Sequence, residues 1–82
     1  MVSAIFDSAF QKQFSKIKDA LFKERIIKQI ERIRDDPEIG KPMSYGRKGT
    51  RELRVPPFRL SYRYHADEDL IEILGVYHKD EQ

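Results

Sequence analysis

The chain is predicted to be α+β, with an N-terminal strand, a two-helix hairpin packed on one face of an antiparallel sheet, and three C-terminal strands completing that sheet. Three observations predict it. From Phe10 to Ile33 the apolar residues recur at spacings of three and four, the period of a helix face. From Leu53 to Tyr64 they alternate with polar and charged residues, the period of two of half-buried strands. Leu70 to Tyr77 is a run rich in Ile, Leu and Val, as suits an interior strand. Eighty-two residues without repeats or low-complexity tracts hold one core, so 1–82 is one domain.

Taken in order, Val2 to Phe6 is a short strand, and Asp7 and Ser8 after it are natural N-cap residues. Phe10, Phe14, Ile17 and Leu21 then share one helical face. Asp19 caps a second helix, in which Phe22, Ile26, Ile30 and Ile33 continue the stripe and Ile27 widens it. Glu24 and Lys28 form an i,i+4 pair in the favourable order. This helix ends at Asp35 or Asp36, because Pro37 disfavours helical geometry in the residue before it. The two helices run antiparallel with one apolar face towards the sheet. Pro37 to Thr50, with Gly40, Gly46 and Gly49, reads as a loop that presents Arg47 and Lys48 to solvent or a ligand.

A hairpin bent at Pro56 and Pro57 follows. Symmetry about that pair sets Val55 against Phe58, Leu53 against Leu60 and Arg54 against Arg59. Pro at the second central position disfavours the common turns, so the loop is either wider or contains a cis bond. Like charges directly opposite on a sheet repel, so the two arginines point to an anion between them. His65 to Asp69 is a polar turn. A four-residue connection then sets Arg63 against Glu72 and Arg59 against Val76, with His78 diagonal to Arg59. Ile71, Ile73 and Tyr77 fall on the side of Phe58, Leu60 and Tyr62, which places Tyr77 on the face opposite His78. Tyr62 and Tyr64 read as core aromatics, and Glu52 as a partner for a neighbouring arginine.

Composition narrows the function. There is no cysteine and only His65 and His78, which excludes disulfides, thiolate metal sites and a histidine-rich zinc site. No glycine-rich nucleotide loop occurs, so neither metal nor small-molecule cofactor is expected. The first residues lack the basic and apolar regions of a signal peptide, and no apolar run is long enough to span a bilayer; the expectation is a soluble cytoplasmic protein with no membrane partner. The net charge of +2 hides a segregation. Residues 37–65 hold seven Lys/Arg against two Asp/Glu, whereas 66–82 hold one against six. The basic middle, carried mostly by arginine, is a footprint that attracts phosphates.

Element order and residues together resemble the RelE/ParE toxin family of bacterial and archaeal toxin-antitoxin systems. The likeness covers nearly the whole chain and rests on Leu53, Arg54, Val55, Phe58, Arg59, His78 and Lys79, matching a Leu-Arg-Val turn Tyr-Arg pattern and a strand ending in His-Arg or His-Lys. It implies the toxin of a type II system, a ribosome-dependent and metal-independent endonuclease that cuts mRNA in the ribosomal A site and inhibits translation. A cognate antitoxin whose helix or strand covers the basic face would hold it inactive. The implied catalytic residues are Arg54, Arg59, His78 and Lys79: Arg59 clamps the phosphate with Arg54 in support, His78 transfers protons, and Lys79 serves the leaving oxygen. Arg47, Lys48, Arg51 and Arg63 would add RNA contacts. The family also contains ParE-like inhibitors of DNA gyrase without nuclease activity, and a non-catalytic RNA-binding or antitoxin-binding relative is a third possibility. This chain departs from the pattern with Pro56-Pro57 in place of Gly-Asp, with Glu52 where many relatives have a basic residue, and with no tyrosine beyond His78.

Overall fold

Asp7 and Asp19 set where the helices begin. The Asp7 carboxylate accepts from the backbone N–H of Ala9 at 3.3 Å and opens α1, Ser8–Ser15. Asp19 accepts from the N–H groups of Leu21 and Phe22 at 3.0 and 3.3 Å and opens α2, Ala20–Asp35. Each cap satisfies donors that have no partner within the helix. The computed structural model describes residues 2–43 and 49–78, so Arg47, Lys48 and Lys79 lie outside the described residues.

The strands are β1 (Ser3–Phe6), β2 (Lys41–Pro42), β3 (Arg51–Val55), β4 (Phe58–His65) and β5 (Leu70–His78). They form one sheet in the order β1-β5-β4-β3-β2. The helical hairpin returns the chain so that β1 lies parallel to β5, while the other pairs are antiparallel. The α+β architecture is the one the periodicities predict, with a mixed sheet in place of a purely antiparallel one. Residues 41–42 pair with β3 inside the stretch read as a loop, because a two-residue strand is too short to carry a period.

Val2, Phe10, Ile26, Ile30, Ile33, Val55, Leu60, Tyr62, Ile71, Ile73 and Val76 form the core between the helices and one face of the sheet. Leu21 departs from its expected place, being 71% exposed. Helix α1 ends at Ser15, so the spacing that put Leu21 on the face of Phe10 and Phe14 does not continue through the turn before Asp19.

The hairpin register is the expected one: Val55 pairs with Phe58, Leu53 with Leu60 and Arg54 with Arg59, and the Pro56-Pro57 peptide bond is cis. Across the next pair, Arg63 meets Glu72 as expected, but a β-bulge between Ser61 and Tyr62 changes everything beyond it. Tyr62 pairs with Ile73 and Ser61 with Gly75, so Leu74 is the extra residue. Beyond the bulge Val76 pairs with Leu60 and is buried, Tyr77 pairs with Arg59, and His78 pairs with Phe58. The expected pairing of Arg59 with Val76, and with it the expected sides of Tyr77 and His78, are therefore corrected. Gln13 of α1 sustains the irregularity, its side-chain carbonyl accepting from the Val76 N–H at 2.8 Å.

Tyr62 has no exposed surface, and its hydroxyl is doubly bonded: it accepts from the Gly40 N–H at 2.9 Å and donates to the Pro37 carbonyl at 2.7 Å. This ties the segment after α2 to the middle of the sheet. A Cβ at Gly40 would meet the Tyr62 Oη at 2.6 Å, so the backbone there must approach as glycine. Burial raises the Tyr62 pKa above its ordinary 10.0, partly opposed by the Gly40 hydrogen bond. Because the folded phenol ionises at higher pH than the unfolded one, its contribution is intact below about pH 10 and fades as pH rises through the folded value. Tyr62→Phe leaves a buried carbonyl and amide without this partner and should cost about 1–3 kcal/mol in urea unfolding, with an unchanged m-value. The variant should also lose part of the wild type's decline in stability above about pH 10.

Candidate functional site

The face of the sheet turned away from the helices gathers its functional side chains by register. Cross-strand partners share a face, so Arg54, Arg59 and Tyr77 form one row across β3, β4 and β5. Adjacent strands lie about 4.8 Å apart, which spreads the row over roughly 10 Å. The neighbouring row contains Glu52, opposite Ser61 on one side and Lys41 on the other. Val55, Leu53, Leu60 and Phe58 hold this hairpin from the helix side, so apolar burial forces the two arginines together.

Glu52 is the internal counter-charge. It is only 6% exposed, and its Oε1 lies 3.4 Å from Arg59 Nη1. The Arg59 side chain keeps 29% exposure, and Arg54 is exposed. A cleft of about 300 Å³ is bounded by Arg54, Pro56, Pro57, Phe58 and Arg59. Beside it a smaller one of about 110 Å³ brings in Lys41, Met43 and Glu52. Both arginines line both clefts. Among the described residues, three cations around one carboxylate leave the patch net positive. Guanidinium groups are permanently charged and bind oxyanions through paired N–H donors. A phosphate-sized anion fits this chemistry.

Of the remaining expected site residues, the described ones, Arg51, Arg63 and His78, are dispersed. Arg51 donates to the carbonyls of Glu38 and Gly40 at 3.0 and 2.8 Å and pairs with the Glu38 carboxylate at 3.6 Å, bracing the segment before β2. Arg63 lies 4.0 Å from Glu72, which also meets His65 Nε2 at 3.1 Å. His78 sits on the other side of the sheet end, its ring edge-on to Phe58 at 5.4 Å, with Phe58 itself packed on Phe22. Phe58 borders the cleft, whereas His78, packed on that ring, is not one of the residues bounding it. Lys41 and Tyr77 were missed from sequence. The alternation of β5 misassigns Tyr77 because only the bulge returns it to the face of Arg59. Among the described residues no group of His, Cys, Asp and Glu could hold a metal ion, and no helix is long and apolar enough to cross a membrane.

The Glu52–Arg59 contact makes a prediction. Glu52→Gln removes the charge that offsets Arg54 against Arg59 and should cost about 1–3 kcal/mol in unfolding at low salt. Added sulfate should raise the melting temperature of the variant more than that of the wild type, because an anion then replaces the missing carboxylate.

Comparison with known proteins agrees with this architecture. The model of the ParE toxin of type II toxin-antitoxin systems matches residues 4–82. No curated protein sequence matches the chain. Among solved structures, the chain is similar to a subunit of the intact Escherichia coli RelBE toxin-antitoxin complex, with a TM-score of 0.79 and 19% identity over 95% of this chain and 96% of that one. A YoeB/ParE toxin from Agrobacterium tumefaciens gives a TM-score of 0.83 at 17% identity, covering 93% and 96%. The archaeal RelE-RelB complex from Pyrococcus horikoshii gives 0.75 at 12% identity, covering 99% and 98%. The family match across nearly the whole length, on the fold these structures share, makes this chain a member of the ParE toxin family of type II toxin-antitoxin systems, within the wider RelE/ParE group.

Proposed function

We propose that this toxin is a metal-independent endoribonuclease that cuts mRNA in the ribosomal A site. The observation that carries the proposal is the convergence of Arg54 and Arg59 on one open cleft, with Glu52 orienting Arg59 from beneath. Attack of a ribose 2′-oxygen on the adjacent phosphorus forms the new P–O2′ bond and breaks P–O5′. The two guanidinium groups bounding the cleft support this step, since they would stabilise the charge that builds on the non-bridging oxygens. Protons must leave O2′ and reach O5′; the family resemblance implies His78 and Lys79 for these transfers, although His78 lies on the Phe58 side of the sheet, away from the arginine row. Tyr77, in the row of Arg59, offers an aromatic surface beside the clamped phosphate on which a base can stack. The products would be a 2′,3′-cyclic phosphate and a free 5′-hydroxyl.

The family match favours one second reading. The matching model is that of ParE toxins, and a ParE-like toxin acting on DNA gyrase would use the same fold without nuclease chemistry. Induced expression with growth measurement and primer-extension mapping of mRNA ends separates the two. The nuclease predicts growth arrest with codon-positioned ends, and Arg59→Ala should reduce cleavage about 10²–10³-fold. Arrest with intact mRNA and trapped gyrase–DNA cleavage complexes would establish the second reading instead.

The partner that silences the toxin is proposed to be an antitoxin, as in the complexes of the Escherichia coli and Pyrococcus horikoshii relatives. A groove of about 870 Å³ runs between β1 and the helices, lined by Ala4, Phe6, Phe10, Phe14, Ile27 and Ile30 among others. Phe6 and Ile27 are 43% and 46% exposed, and β1 is a sheet edge, so an apolar antitoxin segment could be anchored there by both side chains and backbone. Ile27→Glu should weaken antitoxin capture, measured by calorimetry, by about tenfold or more while leaving mRNA cleavage by free toxin intact.

A further inference from the structure

Helix α2 divides its two flanks by chemistry. Ile27 and Ile30 line the apolar groove, whereas Arg25, Lys28, Gln29 and Arg32, at spacings of three, one and three, form a polar stripe on the other flank. With Arg54 and Pro56 this stripe lines a groove of about 280 Å³. Arg25 donates to the Pro56 carbonyl at 2.9 Å, Gln29 donates to the Arg54 carbonyl at 3.0 Å, and Arg32 donates to Gln29 Oε1 at 2.9 Å. These neutral acceptors orient the guanidinium groups without discharging them. Among the described residues none of Arg25, Lys28, Arg32 or Arg54 is in an ion pair, and the i,i+4 pair expected between Glu24 and Lys28 does not form. All four cations are exposed.

Such crowding of one sign is unfavourable unless an anion relieves it. Arg54 also bounds the cleft that contains Arg59, and Pro56 belongs to both, so the groove on α2 continues around the hairpin turn into the candidate site. We propose that the groove is a second phosphodiester-binding surface, which holds RNA backbone flanking the phosphate clamped by Arg54 and Arg59. The inference rests on the nuclease reading for the identity of that first phosphate. Among the described residues no aromatic side chain lines the groove, so it binds backbone without reading bases. The RNA could be message beyond the cut or ribosomal RNA, since both offer the same phosphodiester chemistry.

The test uses the whole chain with Arg25→Gln, Lys28→Gln and Arg32→Gln combined, and separately Lys28→Glu, which breaks no side-chain hydrogen bond among the described residues. Binding to a short single-stranded 2′-O-methyl RNA, which cannot be cleaved, is followed by fluorescence anisotropy across a salt series. Co-sedimentation with ribosomes lacking mRNA is the second arm. If message is the ligand, the triple variant should lose about tenfold or more in oligonucleotide affinity, with its salt slope reduced by about 2, close to 0.7 for each of three phosphates. Lys28→Glu should show a loss in the same direction. If ribosomal RNA is the ligand, the same losses appear in co-sedimentation. Unaltered affinity and salt slope in both arms would overturn the proposal. Absence of cleavage by wild type, with RNA binding still dependent on the α2 cations, would sink the nuclease reading and leave the groove standing.

Discussion

Arg54 and Arg59 face one another across a two-residue turn because the apolar residues beside them leave no other register. Val55 is buried under α2 and Leu60 at the centre of the core, and a slip of one residue would turn both to solvent. The repulsion between the arginines is therefore imposed by burial elsewhere, and Glu52 offsets it only in part. The result is a folded protein that carries a standing demand for an anion at one place on its surface. The clefts, the row that includes Tyr77, and the basic flank of α2 all lie around that place.

The bulge at Leu74 and Gly75 is the second determinant. Without it β5 would continue its alternation, setting Val76 on the open face and Tyr77 in the core. With it, Val76 completes the apolar layer over Leu60, and Tyr77 joins the arginines. The irregularity leaves the Val76 amide needing an acceptor, and Gln13 supplies one from α1. A polar residue in the first helix thus helps decide which aromatic ring stands beside the proposed phosphate clamp. Bulges next to functional sites commonly re-aim side chains in this way.

Much of this was legible in the residues themselves. Helix starts followed from Asp7 and Asp19, the hairpin register from the symmetry about Pro56 and Pro57, and the Arg63–Glu72 pairing from the length of the turn. What could not be read was whatever depends on contacts between distant segments. Gly75 within Ile-Leu-Gly-Val is a local bulge signal that strict alternation passes over, but the acceptor that completes the bulge lies more than sixty residues away. Lys41 joined the site through a two-residue strand, and the split chemistry of α2 emerged only when Arg54 and Pro56 closed one flank into a groove. His78 was assigned to the arginine face by simple alternation, and the same bulge moved it behind Phe58.

The central claim is that the paired arginines form a discrete anion site and do not merely add to a diffuse positive surface. A nuclear magnetic resonance titration of the 15N-labelled protein with a non-cleavable dinucleotide phosphate, reading the guanidinium Nε–Hε signals, addresses it directly. The account predicts saturable shifts centred on Arg54 and Arg59, with smaller changes along α2 and none at Arg51 or Arg63. Shifts spread evenly over all the arginines without saturation, or an Arg59 signal indifferent to the ligand, would contradict it.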